Sequence, residues 1–367
     1  METIEKKNER SSNIELLRII CMLALVAHHL VVHGGSIALD GMPNNRIISL
    51  IILPVGKICF NCFVAISTWF LVKGRFQGVK FLKIWLETLF YNWVLMCVSA
   101  LLQNGSGEPI TFKNFFGACF PIIGNSHGYA ASYLAFYLLV PFLQKLLVQL
   151  NQRQKVFIIV FLVITQICSG MMGAVIAYTQ PLASEILLFV LCYAISDYLQ
   201  QYPTQIQKKP LAMLGILVVL WGFTSFCRIM NGMNPEVWFY GYFANYVTGS
   251  EMSLVNIVAG YALFFLFYSI TIHQSRCINR IATTTFGILL IHDHNYFRSI
   301  LWNQLVKVPE WSTASTHVFI RNFVFATVVV FVLASIIDFT RQILVERWIM
   351  RLGVTKRVAT SMEQWIV

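Results

Sequence analysis

Residues 16–34 read LLRIICMLALVAHHLVVHG, an apolar run with an arginine, Arg18, near its start and two adjacent histidines, His28 and His29, well inside it. A helix of about 20 apolar residues spans the hydrocarbon core of a bilayer. Comparable runs recur along the whole chain, at approximately 14–33, 47–72, 83–103, 131–150, 155–173, 184–201, 211–230, 253–273, 282–303 and 319–341. The composition agrees: of 367 residues 57% are hydrophobic and only 12% charged, about half the charge of an ordinary soluble domain. The pattern predicts an all-α polytopic membrane protein with about ten transmembrane helices. The second run is long enough to tilt, or to be interrupted at Pro54 and Gly56.

The loops alternate in character. EKKNER (5–10), VKGRFQGVKFLK (72–83), QKLLVQLNQRQK (144–155), QKK (207–209), HQSRCINR (273–280) and the tail RQILVERWIMRLGVTKR (341–357) carry the basic residues. The intervening loops 104–130, 174–183, 231–252 and 304–318 are nearly free of them. The positive-inside rule then places both termini in the cytoplasm and the spans in the cell membrane. The net charge of +11 is scattered in these short clusters, which argues against nucleic acid as a partner. The first run lacks a small-residue cleavage site and no soluble domain follows it, so it reads as a span and not as a cleaved signal. Cys59 and Cys62 have redox-motif spacing without a thioredoxin-like context, and packing is the expected role. Two outer loops, around GNSHGYAASY (124–133) and NGMNPEVWFYGYFANY (231–246), are aromatic enough to cap a cavity, touch a sugar or form an interfacial belt.

Ionisable groups at membrane depth point to function. Arg18 and His29 are eleven positions apart, about three turns, so they share one helix face with roughly 16 Å between them; His28 points about a quarter-turn away. A second polar concentration, His292, Asp293, His294, Asn295 and Arg298, falls in the outer half of the run 282–303. His292, Asp293 and His294 suggest metal ligands, but no further partner is evident in the sequence and no metal is expected. Glu87 in the third run is a candidate partner for a basic residue. Glu185, Asp197 and Asp338 fall near helix ends, where capping or headgroup exposure accounts for them. Arg228, Glu236 and His127 are weaker candidates in or near outer loops.

These residues carry a resemblance. IELLRIICMLALVAHHL (14–30) resembles the opening helix of the membrane acyltransferase 3 family, in which an arginine, ten residues and a histidine recur; Arg18 and His29 take those places, with Glu15 at a common acidic position. CFNCFVAISTWFLVKGRF (59–76), SYLAFYLLVPFLQKL (132–146) and TTTFGILLIHDHNYFR (283–298) resemble further family segments in the expected order. Two departures stand out. KFLK (80–83) replaces a frequent Arg-x-x-Arg pair, so Lys80 and Lys83 are substitutes, and Thr68 stands where glycine is common.

The resemblance implies a transmembrane acyltransferase domain over 13–343, between a cytoplasmic segment 1–12 and a cytoplasmic tail 344–367. It implies an acyl-CoA-dependent O-acetyltransferase, with acetyl-CoA as donor. The acceptor would be a hydroxyl of a surface polysaccharide or lipid-linked glycan, and membrane lipid the surrounding partner. In that reading His29 and His292 are catalytic, Arg18, Arg75, Lys80 and Lys83 hold the donor phosphates, and His28, Glu15, Glu87 and Asp293 give support. The chemistry is compatible: imidazole suits proton abstraction near neutral pH, and arginine and lysine suit phosphate. A transporter or flippase is the alternative, since buried charge also serves proton coupling, but no internal repeat is visible. A glycan polymerase would be expected to carry larger outer loops with more charge.

Overall fold

The computed structural model describes residues 11–102, 110–122, 128–176 and 184–366, and among them the regular structure is helical throughout. The principal helices are α1 (Ser12–His33), α2 (Asn44–Val72), α3 (Gly78–Leu102), α4 (Gly128–Val148), α5 (Gln152–Ile176), α6 (Glu185–Gln201), α7 (Pro210–Met233), α8 (Leu254–Tyr268), α9 (Thr285–His292), α10 (Thr316–Arg341) and α11 (Gly353–Ile366). α1 lies at the centre, against α2, α8, α9 and α10. Its Leu17, Cys21, Val26 and Leu30 are fully buried, so the first apolar run is a core helix and not a peripheral anchor. By contrast, α7 and α10 turn Val219, Phe226, Phe325 and Ile336 outwards, each more than half exposed. Whole apolar faces left open in this way are what lipid covers.

Six stretches among the described residues are long and apolar enough to cross a membrane: α1, α2, α3, α4, α7 and the continuous Thr316–Ile349 that begins with α10. α6 and α8, at 17 and 15 residues, are shorter than the expected spans. The expectation for 282–303 is corrected outright. This run is not one helix: α9 ends at His292, the chain turns through Asp293–Phe297, and a π-helical turn follows at Ile300–Leu305. Asp, His and Asn are poor helix formers whose polar side chains compete for the backbone. Broken helices persist at membrane depth where they line a cavity, and Asp293 lines one.

Pro54 does not interrupt α2. The proline lacks an N–H, and carbonyls around it find donors on neighbouring helices: the Trp221 indole donates to Ile51 O at 2.8 Å and His28 Nδ1 donates to Leu53 O at 2.7 Å. Gly56 makes the second contact possible, since a Cβ there would lie 2.1 Å from the His28 ring. Gly56→Ala is therefore expected to force α1 and α2 apart, at about 1–3 kcal/mol of overpacking. The check is thermal unfolding in detergent beside Gly215→Ala, whose new methyl meets nothing within 4 Å; only the former should melt earlier.

The three cysteines Cys21, Cys59 and Cys62 are buried and free, as packing residues are. Asp197 is no exposed cap: it is buried with Lys155 Nζ 2.6 Å from its carboxylate. Asp338, also expected to be a cap, is fully buried.

Candidate active site

One cavity of about 730 Å³ runs beside α1 from Arg18 to His29 and is closed by side chains of α2, α3, α4 and α9. Its two ends differ chemically because α1 presents a cation at one turn and imidazoles three turns on.

At the histidine end the hydrogen bonds fix which nitrogen carries each proton. His292 Nδ1 lies 2.6 Å from Ile288 O. A carbonyl only accepts, so Nδ1 is the protonated nitrogen and Nε2 of the neutral ring is an acceptor. That Nε2 lies 2.8 Å from His29 Nδ1, so His29 donates through Nδ1 and its own Nε2 keeps the lone pair. Nε2 of His29 faces Asp293, with 3.8 Å to Oδ2. An imidazolium formed there would meet a carboxylate, and Asp293 is held by His33 Nε2 at 3.3 Å and Arg298 Nη1 at 3.5 Å. His292 is fully buried and edges against Trp302, whereas His29 reaches the cavity. The sequence-predicted pair is thus brought together, in unequal positions. Although α9 ends at His292, the polar cluster is not a solvated helix cap: His292 and His294 are fully buried.

At the other end Arg18 is paired with Glu15 at 3.1 Å and lines the cavity with Lys80 and Lys83. Arg75 sits beside it, in a side pocket of about 150 Å³ whose walls include Arg18, Gln77 and Lys80. Lys80 lies over the Tyr137 ring, and the Tyr137 hydroxyl accepts the Gln77 N–H at 3.1 Å. From there Tyr137, Tyr133 and Tyr129 stack along α4 at four-residue spacing, up to Phe60 on α2. This aromatic wall joins the basic end to the histidine end.

Two donor-site candidates belong to a different network. Lys83 Nζ is 2.8 Å from Glu346, and Glu87 forms an ion pair with Arg341 at 2.9 Å. Arg341 also reaches Asp338 at 2.8 Å and Glu346 at 3.1 Å, and the Tyr91 hydroxyl donates to Asp338. Both side chains still border the cavity, but their charges are committed to α10 and the segment after it. Arg228 is turned to Asn245, Glu236 is exposed, and His127 lies outside the described residues. In the loop 231–252 the aromatic side chains do not line the cavity; Glu251 does.

Sequence reasoning missed Lys57, Glu251 and His33, and set Glu185 at a helix end without a part in the site. Lys57 pairs with Glu251 across the cavity, and Glu185 lines it near Gly128. Lys57 was visible as the one charged residue within 47–72. His33 was visible too, one turn beyond His29. The expectation of no metal rested on the lack of a partner for the 292–294 cluster. The fold supplies partners from α1: His29, His33 and Asp293 bring ligand atoms within 4.8 Å of one another.

A model of the acyltransferase 3 family, described as an acyltransferase domain, matches residues 11–338. No curated protein and no solved structure gives a significant match. The matched range includes Arg18, His29 and His292, and with its apolar helices and hydrogen-bonded histidine pair the chain belongs to the acyltransferase 3 family of membrane acyltransferases.

Proposed function

We propose that this acyltransferase takes a short acyl group, acetyl in the first instance, from acyl-CoA and delivers it to a hydroxyl of a surface polysaccharide or lipid-linked saccharide. The observation that carries the reading is the joint placement of Arg18 and His29 on one cavity, roughly 16 Å apart along α1, with His29 Nε2 left as proton acceptor. On the positive-inside reading the Arg18 end is cytoplasmic. Arg18, Arg75 and Lys80 there suit the phosphates of CoA, arginine by its fork and lysine as a point charge. The pantetheine arm follows the tyrosine wall and brings its thioester to His29.

In the transfer step His29 Nε2 takes the proton of the acceptor hydroxyl as its oxygen attacks the thioester carbonyl. The C–S bond breaks, the acyl group passes to oxygen, and the CoA thiolate recovers the proton from His29. Asp293 faces the transient imidazolium. His292 holds the ring by its other nitrogen and is a positioning residue.

The test uses purified protein in nanodiscs with radiolabelled acetyl-CoA, following equilibrium binding and the slow hydrolysis that needs no acceptor. Wild type should bind and turn over donor. Arg18→Ala should weaken binding about 10- to 100-fold, the size of a lost charge-assisted hydrogen bond. Wild-type protein that neither binds nor consumes acetyl-CoA would overturn the acyl-CoA reading.

A further inference from the structure

We propose that His29, His33 and Asp293 bind a zinc-class divalent ion, and that the ion shuts the transfer site by occupying the proton-accepting nitrogen of His29. The binding stands on geometry alone; its effect on turnover rests on the function proposed above.

His29 and His33 are four residues apart in the last turns of α1, so their rings project from one face. Asp293, at the end of α9, lies opposite both, with 3.8 Å from His29 Nε2 to Oδ2 and 3.3 Å from His33 Nε2 to Oδ1. Tetrahedral bonds of about 2.0–2.1 Å to nitrogen and oxygen put ligand atoms roughly 3.3 Å apart. The trio is therefore close to a coordinating arrangement, and side-chain movements of an ångström or less would complete it. Two imidazoles and one carboxylate favour zinc, cobalt or copper over calcium or magnesium, which prefer all-oxygen sets.

The outer hydrogen bonds also fit. A metal-bound histidine usually donates its second ring N–H, which fixes the free nitrogen towards the ion. His29 does this through Nδ1 to His292, itself held by Ile288 O. The side chains of His29, His33 and Asp293 are 13%, 21% and 28% exposed, so an ion can reach them, and the cavity leaves room for a water as fourth ligand. The opposing charge is Arg298, 3.5 Å from Asp293 and 37% exposed, free to swing towards solvent. Lys57 on α2 is neutralised by Glu251. A metal on His29 Nε2 and a proton on the same atom exclude each other, and inhibition follows.

The experiment takes full-length protein in nanodiscs, freed of its affinity tag and treated with chelator, and titrates it with Co²⁺ and then Zn²⁺. One Co²⁺ per chain with the absorption bands of tetrahedral coordination is expected, displaced by Zn²⁺. His33→Gln, which keeps a hydrogen-bonding group beside Asp293, should weaken binding by about a hundredfold or more, since losing an outer-shell partner alone costs about 10- to 100-fold. Asp293→Asn should do the same, and Arg298→Gln should tighten binding. In parallel, saturating Zn²⁺ should cut wild-type acetyl-CoA hydrolysis at least tenfold, reversibly with chelator, while His33→Gln keeps most of its own metal-free rate. No stoichiometric Co²⁺ binding, equal affinity in both variants, or faster wild-type hydrolysis with Zn²⁺ would overturn the proposal. Hydrolysis without metal binding would sink the metal site and leave the acyl-CoA reading standing; metal binding without any hydrolysis would do the reverse.

Discussion

His29→Ala is expected to lower acyl transfer by about 10²- to 10⁴-fold, the range for removing a positioned general base, with donor binding changed little. The separation of the two effects follows from the fold. His29 lies three turns of α1 away from Arg18, where Arg75 and Lys80 join it, whereas the cations near the histidines, Arg298 and Lys57, face the carboxylates of Asp293 and Glu251. His292→Ala should cost less, about 10- to 100-fold, because its ring does not face the acceptor. It accepts the Nδ1–H of His29 at 2.8 Å, and without it His29 is free to take the other tautomer and turn its N–H into the cavity. Hydrolysis rates and equilibrium donor binding, measured on the same nanodisc preparations, check both. A folded His29→Ala protein with wild-type turnover would exclude His29 as the base.

The reason the pair could be half-read in advance is that α1 is regular. Eleven residues at 100° each bring Arg18 and His29 to one face without any tertiary information. Helix periodicity likewise located α1–α4, α7 and α10, where apolar stripes are long. It failed at 282–303, because hydropathy averages over a window while the break at Asp293 depends on where polar side chains find partners: His33 from α1 and Arg298 from the next turn. The same blindness hid Asp338. Near a helix end in sequence, it reads as a cap; in the fold it lies against Gly287, where any Cβ would stand 2.2 Å from its carboxylate carbon. Lys83 was drawn to the donor site by its place in the basic loop, and Glu87 was given a basic partner without a name; only the packing of α10 and the segment after it reveals Glu346 and Arg341 as the partners.

Arg341→Met is expected to cost about 3–5 kcal/mol of stability, the penalty for stripping one partner from a buried ion cluster. Arg341 is nearly inaccessible and is the cation shared by Glu87 at 2.9 Å, Asp338 at 2.8 Å and Glu346 at 3.1 Å. Its loss leaves two buried carboxylates without a cation, whereas Glu346 keeps Lys83 at 2.8 Å. The cost is thus a desolvation cost of the survivors more than the loss of an attraction. Removing the survivors' charge should then undo most of it: Glu87→Gln, Asp338→Asn and Arg341→Met together are expected to melt close to wild type in detergent, with Arg341→Met alone well below. A triple variant as unstable as the single one would show that the guanidinium's packing, and not its charge, holds α3 to α10. The triple variant also decides what Glu87 does. If Glu87 serves only this cluster, a restored fold restores acetyl-CoA binding with it; if its carboxylate acts on the donor, binding stays weak in a protein whose stability has recovered.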